Sequence, residues 1–308
     1  MSAHAHPHAG HRHDGDRDLR AGDRRALRIA LAITVTFLLV EAIGGFLSGS
    51  LALLADAGHM ATDALGLGLA LFAARLAERE PTPGKSYGHR RAEVLAALGN
   101  GVLLGAVALQ VAFEAVGRLG APHPVAGPLM LGVAAAGLVA NLAAAAVLAR
   151  VGSRGLNVRA ALLHVLGDAL GSVGAILAAV AILWLGWLWA DPAVAIAIVL
   201  LILVSAVRLV RESLDVLMEG TPPHVDVDAL LAAIRAVPGV LDVHDLHVWT
   251  LTSGYHALSA HVDVSPGADL HAVLHILSDL AQQRFAIAHT TFQLEHAEPL
   301  LQIDGIAR

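Results

Sequence analysis

The stretch Leu53–Phe72, LLADAGHMATDALGLGLALF, is apolar, long enough for a helix, and carries His59 and Asp63 near its middle. Four residues is just over one helical turn, so the imidazole and the carboxylate stand one above the other on a single face. About a hundred residues later the spacing returns, with His164 and Asp168 inside NVRAALLHVLGDALGSVGAILAAVAI. Two H-x-x-x-D pairs on two apolar helices supply four nitrogen and oxygen donors, the number and kind that a tetrahedral Zn²⁺ site uses. A polar residue on an apolar helix ordinarily does no more than bond to a neighbouring helix. In a membrane that explanation is weaker, because an ionised Asp at the centre of a spanning helix costs roughly 2.5–3.5 kcal/mol. The duplicated spacing favours ligands.

Working outward, the chain has 308 residues, of which 56% are hydrophobic and 15% charged, a composition of a multi-pass membrane protein with soluble mass attached. Ala, Leu, Val and Gly dominate from about Ala26 to about Val210, and the charges concentrate on either side. A formal charge of −6 says little about partners, and no basic cluster with interleaved aromatics points to nucleic acid. There is no cysteine, hence no disulfide and no thiolate ligand, and metal binding falls to the 18 histidines and the carboxylates.

Six segments qualify by length as spanning helices: about 26–48, 51–75, 92–118, 127–149, 158–187 and 192–210. Arg75, Arg79, Lys85, Arg90 and Arg91 fall in the second connection, Arg150, Arg154 and Arg159 in the fourth, and Arg208 and Arg211 after the sixth segment. The positive-inside rule then places both termini and the even connections in the cytoplasm, and the first segment, preceded by a polar start with no cleavage pattern, reads as an uncleaved anchor. Other polar residues at membrane depth are Glu41, Asp56, Asn100, Gln110, Glu114 and Asn141. Asp56, two turns before Asp63, reads as an entrance carboxylate or a helix-end group near water. Gly66, Gly68, Gly167, Gly171 and Gly174 would let the second and fifth helices approach closely and bring the two pairs together, although packing alone explains them too.

Three regions follow: a disordered tail over 1–25, a six-helix transmembrane domain over 26–211 and a soluble domain over 212–308. The tail carries His4, His6, His8, His11 and His13, a composition suited to loose metal capture or to no role beyond solvation. In the soluble region an Asp-capped helix is expected at about 226–236, strands at 241–251 and 255–264 around a Ser253–Gly254 turn, a helix at 269–284 and a strand at 289–295. The order αββαβ makes a small α+β sheet with helices on one face.

The second-segment motif, SYGHRRAEVLAALGNG, NVRAALLHVLGDALGSVGAI, DPAVAIAI and GVLDVHDLHVWTLTSGYHALSAHV together resemble the cation diffusion facilitator family, in its bacterial zinc, cobalt and cadmium efflux branch. The resemblance spans about residues 27–296. It implies a homodimer in the bacterial inner membrane, not an enzyme, that exports Zn²⁺ in exchange for H⁺ by alternating access, with a ferredoxin-like cytoplasmic domain at the dimer interface. It also implies His59, Asp63, His164 and Asp168 as transport ligands, and His244, His261, His289 and Glu295, with His271 nearby, as zinc ligands of the cytoplasmic domain. Arg91 and Asp215 resemble a charge pair that ties the two domains in some relatives. A further ion site of some relatives, in the second connection, is not expected, since PTPGKSYGHRRAE leaves only His89 as a ligand.

Two carboxylates and two neutral imidazoles around Zn²⁺ have no net charge, and the emptied site is expected to take up protons in place of the ion. An intramembrane zinc peptidase would need H-E-x-x-H with its Glu base, a string this sequence lacks. A metal sensor or store would account for the tail histidines but not for four donors at membrane depth.

Overall fold

The computed structural model describes residues 13–77, 79–121, 123–150 and 156–296. Six long helices come first: α1 His13–Ser48, α2 Leu51–Ala77, α3 Ala92–Gly120, α4 Gly127–Arg150, α5 Leu156–Leu185 and α6 Ala190–Leu217. Each contains a stretch long and apolar enough to cross a membrane. The expected six-helix membrane domain is therefore present. Helix α1 starts earlier than the hydropathy pattern indicates: the backbone is already helical at His13, in a polar stretch without proline to stop it. Of the tail histidines, His4, His6, His8 and His11 lie outside the described residues.

The chain divides into two compact units, one holding the chain up to Gly68 and Asn100–Arg208, the other Leu69–Gly99 and the chain from Leu209 onward. In the first, α4 packs against α1 and α5 around Phe37, Leu51, Leu53, Met130, Val133, Ala134, Ala178 and Ala179. Lipid is as apolar as leucine, so such helices are held by close packing more than by expulsion from water. Gly137 of α4 shows how close: a Cβ there would lie 2.6 Å from Cζ of Phe37 and 3.1 Å from Oγ of Ser172. Gly137→Ala should therefore force the Phe37 ring aside and destabilise the bundle by about 1–3 kcal/mol. Thermal unfolding in detergent checks this, and an unchanged Tm would contradict it.

The start of α2 is fixed from a distance. Asp191, fully buried in the first turn of α6, accepts hydrogen bonds from Ser50 Oγ at 2.6 Å, Leu51 N at 2.7 Å and Ala52 N at 3.1 Å. A carboxylate at a helix N-terminus satisfies amides that have no intrahelical acceptor and complements the positive end of the dipole. Arg118 of α3 adds a bond to the Gly49 carbonyl at 2.6 Å, at the turn where Gly49 takes φ +72°. The depth and rotation of α2, and with them His59 and Asp63, are set here. At the same end Trp184, Trp187 and Trp189 are exposed, as befits a membrane–water interface.

The second unit contains α7 Val227–Arg235, β1 Val240–Thr252, β2 Tyr255–Val264, α8 Leu270–Phe285 and β3 His289–His296, the expected αββαβ order. Asp226 and Asp269 cap the two helices, each accepting from two backbone amides of the first turn. The sheet order is β1-β2-β3, with β1 and β2 antiparallel and β2 and β3 parallel, the α8 crossover joining the parallel pair. Alternation sends Ala260, Val262 and Val264 into a core with Leu230, Ile234, Val273, Leu277 and Ile287. Ser259, His261 and Asp263 therefore belong to the opposite face.

The connection from α2 to α3 belongs to this second unit, although the sequence places it in the transport domain. Arg90 stacks over the Tyr255 ring at 3.9 Å, Thr252 bonds to Glu93, and Tyr87 meets the His289 ring edge-on at 5.6 Å. Arg91 pairs with Glu219 at 2.7 Å. The charge pair expected with Asp215 is thus made instead with a residue one turn further along, just beyond the end of α6.

Candidate metal centre

Helices α2 and α5 bring the two sequence pairs face to face. Asp63 Oδ2 lies 3.5 Å from His59 Nε2 and 3.3 Å from His164 Nε2, and Asp168 Oδ2 lies 3.6 Å from His164 Nε2. Donors about 2.0–2.1 Å from a tetrahedral ion are about 3.3 Å apart, so these three separations suit a shared Zn²⁺, while Asp168 lies outside the group of mutually close donors and has to move inward to complete a tetrahedron. One donor atom each from His59, Asp63 and His164 lie within 4.8 Å of one another. Asp168 closes the buried side, only 3% exposed and with Oδ2 lacking a hydrogen-bond partner among the described residues. A buried acceptor without a donor is rare and points to a missing cation or proton. The opposite side is open, with the His164 side chain 43% exposed.

The glycines singled out in the sequence divide between three helix contacts. A Cβ at Gly171 would sit 3.3 Å from Asp56 Oδ1, so α5 meets α2 there, whereas Gly66 lies against Asn100 of α3 and Gly174 against Val194 of α6. Gly68 and Gly167 face open space. Thr62, between the two α2 ligands, bonds its hydroxyl back to the His59 carbonyl at 2.7 Å.

A second cluster lies on the sheet. His244, His261 and Glu295 each offer a donor within 4.8 Å of the others. His244 is opposite His261 across β1 and β2, and Asp263 is opposite Glu295 across β2 and β3. His261 Nδ1 is 2.6 Å from Glu295 Oε1, which also accepts from Gln293 Nε2 at 2.7 Å. The bond to His261, followed by that from Gln293, holds the Glu295 carboxyl below the usual range. Asp263, whose Oδ2 is 4.0 Å from His244 Nδ1, is a further carboxylate on this face that the sequence reading passed over. Its signal was the H-V-D alternation at 261–263, which puts His261 and Asp263 on the same side of a strand. Of the other residues expected here, His289 begins β3 between Tyr87 and Tyr255, and His271 pairs with His275 along α8, Nε2 to Nε2 at 3.1 Å. Neither belongs to the three-residue cluster.

Residues 27–218 match the cation efflux transmembrane domain, and residues 222–297 the cytoplasmic domain of cation efflux proteins. The chain belongs to the cation efflux family. Its relatives within the family include the zinc transporter ZitB of Escherichia coli (strain K12), 42% identical over 296 residues, which are 96% of this chain and 93% of ZitB. The metal cation efflux system protein CzcD of Cupriavidus metallidurans is 42% identical over 299 residues, again 96% of this chain and 93% of the relative. A cadmium, cobalt and zinc/H(+)-K(+) antiporter of Bacillus subtilis (strain 168) is 40% identical over 290 residues, 93% of this chain and 92% of that protein. Membership makes this chain a multi-pass membrane protein of metal cation efflux, a transporter and not an enzyme.

Proposed function

We propose that the chain exports Zn²⁺ from the cytoplasm in exchange for protons, with His59, Asp63, His164 and Asp168 as the transport ligands. The three separations of 3.3, 3.5 and 3.6 Å among their donor atoms, close to the edge of a zinc tetrahedron, carry this reading. The antiporter named among the relatives supports the exchange. With Zn²⁺ bound, two carboxylates and two neutral imidazoles sum to zero charge. When the ion leaves, bare carboxylates in a low-dielectric bundle must be neutralised, and protons do so by binding the same oxygens without a hydration shell. Metal and protons then compete for the same atoms, which couples zinc flux to a proton gradient. The Lys and Arg distribution of the connections puts both termini in the cytoplasm, so α2 runs inward from Leu51 and α5 outward from Leu156. The protein works as a homodimer, consistent with its match to the dimer-forming cytoplasmic domain.

Zinc uptake into inside-out vesicles, with protons flowing out as zinc goes in, tests the proposal. Uptake should rise with the gradient and collapse when a protonophore removes it. Gradient-independent uptake would overturn the exchange, and no uptake at all would overturn transport of zinc.

The pair His244–His261 with Glu295 is proposed as a zinc site of the cytoplasmic domain. Its donors are two imidazoles and a carboxylate, with Asp263 within reach of the fourth position. His261→Ala should lower the zinc bound per chain by about one ion, counted by elemental analysis after gel filtration, while proton-driven transport persists. An unchanged count would remove these residues from metal binding.

Selectivity follows from the same chemistry. His59 gives one nitrogen, whereas a carboxylate in its place can bind through both oxygens and raise the coordination number, which suits the larger cadmium ion. His59→Asp should keep zinc transport and gain cadmium transport. Parallel flux assays decide the point, and continued exclusion of cadmium would place selectivity in the helix packing.

A further inference from the structure

Glu41 of α1 and Asp56 of α2 are 0% and 4% exposed, and the four-donor cluster uses neither. Helices α1 and α2 meet closely beside them, where a Cβ on Gly45 would lie 3.1 Å from the backbone N of Leu54, and the two carboxyl groups are near enough to interact. Yet both oxygens of Glu41 and Oδ2 of Asp56 lack a donor among the described residues. An ionised carboxylate only accepts, so two of them in contact cannot satisfy one another. The group that would complete both is a proton held by one and donated to the other, the arrangement that adjacent carboxyls adopt when both cannot ionise.

Among the described residues no other side chain donates to these three oxygens. Gly171 of α5 brings its backbone over Asp56, where a Cβ would be 3.3 and 3.4 Å from the two carboxyl oxygens. The charged groups nearby are Asp168 on α5 and, around it, His59, Asp63 and His164. Between Gly127 and Ala149, α4 has no ionisable side chain. Glu114 of α3 is engaged with Arg118, and Asp191 of α6 with the start of α2. Asp56 precedes His59 by three residues and Gly171 follows Asp168 by three, which puts the pair about one turn from the cluster, on the side of the α1–α2 connection.

We propose that Glu41 and Asp56 form a proton-binding site that holds one proton between them and delivers it to the zinc cluster as the ion departs. The delivery, though not the binding, rests on the proton exchange proposed above. The proton leaves the carboxyl pair, the zinc cluster gains it, and the pair regains one from water on the α1–α2 side. No bond other than O–H is made or broken.

Glu41→Gln tests this in the full chain reconstituted in liposomes. The amide keeps the shape and offers Asp56 an N–H, but it cannot release a proton. Net zinc flux against a proton gradient should fall by about a hundredfold, the lower end of what a positioned proton donor contributes. Zinc-for-zinc isotope exchange, which needs no net proton transfer, should persist, and in the zinc-loaded protein, whose cluster carboxylates hold no proton, the infrared absorption of a buried carboxylic acid should disappear. Equal loss of net flux and isotope exchange would make Glu41 structural and overturn the proposal, as would undiminished net flux or an unaltered infrared spectrum. Asp56→Asn is the second variant, with the same expectations, should Glu41→Gln fail to reach the membrane. If the unsubstituted protein shows no proton-driven flux, the exchange reading falls by itself, and the infrared comparison still decides whether the pair holds a proton.

Discussion

Asp63→Ala is expected to abolish zinc export while leaving the protein in the membrane. Asp63 Oδ2 stands between the two imidazoles, 3.5 Å from one and 3.3 Å from the other, so its removal takes away the central ligand of the cluster. Groups that only orient a metal ligand are commonly worth 10–100-fold in affinity, and loss of a ligand itself should exceed about 100-fold. The fold gains rather than loses from the change, because a costly charge leaves a spanning helix. Zinc tolerance of cells, with membrane abundance measured alongside, reads the outcome. Wild-type tolerance would remove Asp63 from the pathway.

Asp191→Ala should produce the largest loss of stability. Its carboxylate holds the Ser50 hydroxyl and two amides of α2 in a fully buried setting. Losing a helix cap and stranding a buried hydroxyl together should cost about 2–4 kcal/mol. The lost anchor also frees the start of α2, eight residues before His59, so transport should fall with stability. Asp191→Asn, which keeps one acceptor oxygen without the charge, should lie between the two. Thermal unfolding of the purified protein checks the order, and equal Tm values for all three would mean that the cap is not what holds α2.

How far the sequence could be read depended on the range of each interaction. The H-x-x-x-D pairs were legible because four residues along a helix fixes a shared face whatever the helix packs against. Their meeting was legible only through their repetition, since Gly171 proved to mark the α2–α5 contact while Gly66 and Gly174 served α3 and α6. The αββαβ order was readable from Asp caps and the turn at Ser253–Gly254, which are local signals. Long-range pairings were not. Asp191 stood in a recognised motif, yet its partners lie about 140 residues earlier. Glu41 and Asp56 looked like unrelated polar residues, and Asp56 like a group near water, until the bundle buried them together. Similarly, His289 and His271 carried metal-ligand chemistry by type, and only the fold sends one to a pair of tyrosines and the other to His275.

In the proposed transport site one zinc ion sits between α2 and α5, held by two imidazoles and two carboxylates. Anomalous scattering at the zinc edge from the zinc-loaded protein tests it most directly. A peak within about 2.0–2.1 Å of donor atoms of His59, Asp63, His164 and Asp168 is the predicted result. Zinc bound elsewhere in the chain, with no peak among these four residues at saturating metal, would contradict it.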